Sequence, residues 1–216
     1  MSPGAARPGG RTAEVHRAVL RATEELLVES GLAGLELTVI AERAGVGKST
    51  VYRRWGSVPA VVADLLTDMA DQSVARADTG SLRTDLRASA QLVRDTLSDP
   101  RQGPLFKAII AAATFDPRTA EALAGFYERR VAEWARCIDA AIARQEVSGR
   151  IDACAVIRSV SAPLYYQLLT SRTPLTRRDA TRAADAALAA LYAGVFTVRG
   201  RRHTGSTGTA PGTAVR

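Results

Sequence analysis

The sequence predicts an all-α protein of about nine helices, a three-helix head followed by a larger helical body. Three observations carry this. Apolar residues recur at helical spacing almost everywhere, while β-branched alternations are few and Asn-Gly or Asp-Gly hairpin turns are absent. Gly, Pro and Ser interrupt the pattern at intervals that suit helix ends.

The first helix is expected to start after Thr12, a good N-cap, with Glu14 in its first turn. Val15, Val19, Ala22 and Leu26 give it one apolar stripe, and Gly31 ends it. Residues 38–44 read as a short second helix closed by Gly45, and residues 48–55 as a third. A longer helix is expected over 57–78, with Ser57 as N-cap and Pro59 in the first turn, where a missing N–H costs nothing. Gly80 and Ser81 break it. Further helices are predicted over 82–97, 104–114, 117–147, 152–171 and 176–198, punctuated by Pro100, Pro117, Gly149 and Pro174. In the long 117–147 stretch, Leu123, Phe126, Val131, Trp134, Ile138 and Ile142 are the expected inward positions.

A hydrophobic content of 46% fits a folded chain, and no apolar run approaches the roughly 20 residues needed to cross a bilayer. The Gly/Pro/Ala-rich N-terminus lacks the apolar core of a signal peptide, so no membrane partner and a cytoplasmic location are expected. Cys137 and Cys154 lie in separate helical stretches without metal-ligand spacing, which reads as two thiols in a reducing compartment. The net charge of +7 is a weak signal for nucleic acid, because its distribution is uneven. Residues 1–56 carry +2, residues 57–198 carry +1, and residues 199–216 carry +4 with no acid at all. A case for DNA must therefore rest on a local constellation.

That constellation lies between Leu37 and Gly56. Two short helices crossing closely need a small residue at the approach, which Ala41 supplies, and a turn residue tolerant of positive φ, which Gly45 supplies. Ile40, Ala44, Val46 and Val51 are spaced to pin the second helix onto the first. Its other face carries Lys48, Ser49, Thr50, Tyr52, Arg53 and Arg54, all hydrogen-bond donors. Phosphate oxygens need donors, and Arg can pair bidentately with guanine in the major groove. Thr38 heads the preceding helix, where free N–H groups and the helix dipole favour an anionic phosphate.

The run Thr38 to Ser57 strongly resembles the DNA-binding domain of the TetR family of regulators, as does its position after an amphipathic first helix. The resemblance spans roughly residues 12–66 through specific motifs, and the remainder through length and helical pattern. It implies that the second helix of the motif reads the major groove of double-stranded operator DNA. Lys48, Ser49, Thr50, Tyr52 and Arg53 match positions that contact bases and phosphates. Trp55 stands where the family has an aromatic, either supporting a phosphate contact or filling the core. Two departures are notable. Gly47 replaces a frequent Ser, leaving the recognition helix without a side-chain N-cap, and Val58-Pro59 replaces a frequent Lys-Glu. Affinity then leans on Arg53, Arg54 and the N-terminal Arg7 and Arg11.

The implied plan is a flexible arm (1–11), a helix-turn-helix domain (12–56), a helical effector-binding and dimerisation domain (57–199) and a disordered basic tail (200–216). Homodimerisation through the last two helices is implied, and two reading heads about one helical turn apart would recognise a palindrome. Ala183, Ala184, Ala187, Ala190, Leu191 and Gly194 would face Ala162, Pro163, Leu164, Tyr165 and Tyr166 there. A small, largely apolar effector would sit among Phe106, Phe126, Tyr127, Trp134, Tyr165 and Tyr166, with Phe115 as a further lining candidate. Gln167 or Arg158 could orient a polar group, and each aromatic could instead simply fill the core. The effector would favour a state with wrongly spaced heads and release a repressor. A constitutive repressor or an activator stays open.

Catalysis is disfavoured. The only histidines are His16 and His203, and no Gly-rich phosphate loop, nucleophile elbow or metal cluster is present. Asp64, Asp68 and Asp71 read as a solvated helix face rather than a metal site, and no cofactor is expected. A helical interaction module without DNA is the other rival.

Overall fold

A computed structural model describes residues 8–72 and 78–198, and among these it contains nine α-helices and one short 3-10 turn. The head comprises α1 (Pro8–Ser30), the 3-10 turn (Leu32–Gly34), α2 (Leu37–Ala44) and α3 (Lys48–Trp55). The body comprises α4 (Val58–Asp71), α5 (Leu82–Ser98), α6 (Gln102–Ala113), α7 (Pro117–Ala143), α8 (Ala153–Thr170) and α9 (Arg177–Tyr192). The nine expected helices are all present.

Their ends differ from the sequence expectation where capping groups and distant pairing override the local signal. α1 begins at Pro8, so Thr12 is an exposed residue inside the helix and not its cap. Pro is well suited to a first turn because its missing N–H would have no partner there anyway. Ser57 does cap α4, accepting from the Ala60 N–H, and α4 stops at Asp71 instead of reaching residue 78. α6 starts earlier than residue 104 because the Asp99 carboxylate accepts from the N–H groups of both Arg101 and Gln102. Gly103 is required in that turn, since a Cβ there would lie 2.5 Å from the Leu97 carbonyl oxygen. α7 is capped by Asp116 and ends at Ala143, followed by Gln145 at a φ of 62°. α9 opens with a reciprocal box between Thr176 and Asp179 but ends at Tyr192, short of residue 198. Gly194, at a φ of 78°, closes the helix, with the Val195 N–H returning to the Ala190 carbonyl, and the chain beyond it pairs back on residues 150–152 through one antiparallel bridge, Ile151 to Thr197. Nothing local in the sequence announces that pairing.

In the body, α9 packs on α5 and α8, and α4 packs on α7. Their contact faces carry fully buried Leu66, Leu86, Ile138, Ile157, Leu164 and Leu188. Phe126, Val131, Trp134 and Ile138 of α7 are buried as expected, Leu123 is half-buried, and Ile142 is 38% exposed. α1 spans the two parts, packing on α2 in the head and on α4 and α6 in the body. Arg7, residues 1–6 of the arm and the basic tail lie outside the described residues.

Candidate nucleic-acid interface and cavity

The geometry of the α2–α3 turn follows from Ala41 and Gly45. Ala41 has no exposed surface, so the two backbones approach across a methyl group. Gly45 sits at φ 65° and ψ 29°, in the left-handed region, and its N–H returns to the carbonyls of Ala41 and Glu42. Ile40 and Val51 are fully buried beneath the turn, with Ala44 and Val46 half-buried against them. From behind, Arg43 clamps α2 to α1 through Glu29, with N···O distances of 2.9 and 2.8 Å.

α3 therefore has one buried residue, Val51, and apart from the half-buried Thr50 and Trp55 its side chains are exposed. Ser49, Tyr52, Arg53 and Arg54 are exposed, Tyr52 to 50%, while Thr50 is half-buried. Lys48 is exposed but reaches back 2.7 Å to Glu42 of α2, and that hydrogen bond raises its pKa. No side chain caps α3 at Gly47. The start of the helix is open to an anion. Thr38 is the second residue of α2, half-buried, and donates its hydroxyl to Glu36 at 3.2 Å. A phosphate would have to displace that contact.

Trp55 takes a different place from the rest of α3. It is half-buried at the seam with the body, and its indole N–H donates to Asp64 of α4 at 2.8 Å. His16 of α1 meets the same Asp64 oxygen at 2.8 Å and stacks parallel to the indole, with ring centroids 6.2 Å apart. Asp64 is therefore no member of a solvated acidic face: it joins α1, α3 and α4 at one oxygen. Arg54 lies over the Trp55 ring, 4.9 Å from its centroid. Sequence spacing could not reveal this knot, whose members are 48 and 9 residues apart from Asp64.

In the body, helices α4 to α8 surround a cavity of about 420 Å³. Phe106, Phe126, Tyr127, Trp134 and Tyr165 line it, as the sequence suggested. Four of them form a ring cluster, with Phe106–Phe126 centroids 5.7 Å apart and Tyr127–Tyr165 centroids 5.5 Å apart, edge to face. Tyr166 is a correction: it is 71% exposed on the outside of α8, one helical step away from the inward-pointing Tyr165. Phe115 is likewise exposed, to 88%, at the end of α6. Neither Gln167 nor Arg158 lines the cavity. The polar groups come instead from Arg130, Gln72, Asp95, Asp99, Gln102 and Ser161. Arg130 was legible in principle, since it shares one face of α7 with Phe126, Tyr127 and Trp134.

The expected pairing surface of α8 and α9 also needs correction. Ala183, Ala184, Ala187 and Leu191 are buried inside the subunit, where small side chains let α9 approach its own neighbours. Leu164 is buried too. Exposed apolar residues on this side include Ala162, Pro163, Tyr166, Leu169 and Tyr192.

Comparison with known proteins agrees with this geometry. Residues 19–63 match the family described as bacterial regulatory proteins, tetR family, and residues 76–187 match a tetracyclin repressor-like C-terminal domain. The chain is 30% identical over 155 residues to YdeS, an HTH-type transcriptional regulator of Bacillus subtilis strain 168, covering 71% of this chain and 78% of YdeS. Among solved structures, GusR of Salmonella enterica superposes with a TM-score of 0.69 at 20% identity, covering 82% of this chain and 95% of GusR. The TetR family transcription regulator SCO0332 superposes with a TM-score of 0.62 at 27% identity, over 82% of this chain and 97% of its own.

Proposed function

Because the chain belongs to the TetR family and is thus a DNA-binding transcriptional regulator, we propose that it acts in the cytoplasm as a dimeric repressor released by a small effector. The observation that carries this reading is α3 held proud of the body, with Val51 as its only buried residue and Ser49, Tyr52, Arg53 and Arg54 turned outward. Tyr52, Arg53 and Arg54 supply base or phosphate contacts, and Lys48, Ser49, Thr50 and Thr38 flank them. Trp55 works from behind, fixing the angle at which α3 leaves the body. No helix of the described residues is long and apolar enough to cross a membrane.

The homodimer forms on the outer faces of α8 and α9. Ala162, Tyr166 and Leu169 fall on one helical face, and Tyr192 extends it. Two subunits joined there present two heads to a palindrome. The effector occupies the cavity of the body, and residues 57–199 act as the sensing and pairing unit for the head at residues 12–56. Asp64 gives effector occupancy a route to α3, because α4 both lines the cavity through Met69 and holds Trp55.

Selection of bound sites from a random pool of duplex DNA tests this directly. An enriched inverted repeat, bound by a dimer in light scattering, is the expected result. A pool that stays unenriched, or a monomer on an asymmetric site, overturns the dimeric-operator reading.

A further inference from the structure

Charges around the cavity are not equivalent. Asp95 is engaged by Arg94, and Asp99 accepts from two backbone N–H groups at the start of α6, which hold its carboxyl below the usual range. Both acids are thus satisfied within the subunit. Arg130 has no carboxylate partner among the described residues, and its guanidinium carbon lies over the Trp134 ring, 4.6 Å from the centroid. Its stem is packed into the body, and burial lowers its pKa, the mark of a cation only partly hydrated. One turn away, the Tyr127 hydroxyl is buried beside that of Tyr165, a weak mutual contact that leaves it without a well-formed hydrogen bond. Burial pushes this hydroxyl far above its ordinary range, with the neighbouring Tyr165 adding to the shift, so it persists as a donor. A buried donor without a well-formed bond and a partly desolvated cation facing one cavity are each costly unless something accepts from them.

We infer that the effector is an organic acid, a flat apolar body of aromatic type carrying one carboxylate that pairs with Arg130 and accepts from Tyr127. The inference rests on the reading of this cavity as the effector site and adds the sign of the ligand's charge. The ring cluster of Phe106, Phe126 and Tyr165 offers edges and faces to the flat body, and Trp134 backs the guanidinium so that its donor edge is free for a planar carboxylate. A volume of about 420 Å³ accommodates one to three fused rings.

The test titrates the full-length protein by calorimetry with three matched series: benzoic, 1-naphthoic and 9-anthracenecarboxylic acids, their primary amides, and the corresponding arylmethylamines. At least one acid should bind tenfold or more tighter than its amide, with the amine weakest. In Arg130→Gln the acid should fall to the level of its amide, with the amide unchanged, and in Tyr127→Phe the acid should weaken several-fold. Equal binding of acid, amide and amine by the unaltered protein overturns the charge assignment while leaving the cavity as a ligand site. Binding of none of them overturns the cavity reading itself. Because the acid–amide comparison needs only the unaltered protein, a variant that fails to fold leaves the outcome just as clear.

Discussion

α3 and α9 are both amphipathic helices, yet they differ in their acidic charge. α9 contains two acids, and both are paired: Asp185 holds Arg87 at 2.9 and 2.7 Å, and Asp179 holds Arg182 at 2.6 Å. Its inner face buries Ala180, Ala183, Ala184, Ala187, Leu188 and Leu191. α3 contains no acid, buries only Val51, and leaves Arg53 and Arg54 without a carboxylate partner among the described residues. Charge that is compensated at home serves packing. Charge that is left uncompensated on a helix braced from behind is available to an external polyanion.

The sharpest way to break this contrast is to damage α9 from inside. Leu188→Ala should cost about 2–5 kcal/mol of stability, because a fully packed side chain is removed. Thermal unfolding would show it, and DNA affinity per folded molecule should be unaltered. Gly45→Val comes next. A β-branched residue at φ 65° should cost about 1–3 kcal/mol and abolish operator binding in a gel shift by misplacing α3. Retained binding would show that the turn does not set the position of α3.

Arg53→Ala reverses the pattern, with about 1–3 kcal/mol lost from operator affinity and an unchanged melting temperature. If Arg53 meets a phosphate, the slope of log affinity against log salt should also fall by about 1. Trp55→Phe should do a little of both: loss of the hydrogen bond to Asp64 costs about 0.5–1.5 kcal/mol, and a loosened α3 weakens binding to every site alike. The smallest effect is expected for Asp185→Asn. Arg87 holds the Asp185 carboxyl below its ordinary 3.8, so the pair stabilises the fold above that pH. Its contribution is lost as pH falls through the lower folded value. The variant should be less stable near neutrality and indistinguishable from the parent in strong acid, as read from melting curves across pH.

Much of the head was legible because its determinants are local. A positive-φ turn needs Gly45, a close approach needs Ala41, and a run of donors from Lys48 to Arg54 is visible without knowing where the rest of the chain lies. The body was legible as helices but not as surfaces. Ala183, Ala184 and Ala187 of α9 looked like part of a partner-facing stripe, yet they are buried within the subunit, since close approach looks the same in sequence whichever helix is approached. Tyr165 and Tyr166 are adjacent and chemically alike, but a helix turns about 100° per residue, so one enters the cavity and the other meets solvent.

The sequence alone determined the number and order of the helices, the turn that lifts α3 and the donors on its outer face, because periodicity, capping and φ preference act over a few residues. Only the tertiary structure decided that Asp64 joins His16 and Trp55, that Arg130 is the uncompensated charge of the cavity, and that the chain beyond α9 pairs Thr197 with Ile151. Those facts depend on which distant side chains share a desolvated space, and the energy of a hydrogen bond or an ion pair is fixed by that neighbourhood rather than by the residue that offers it.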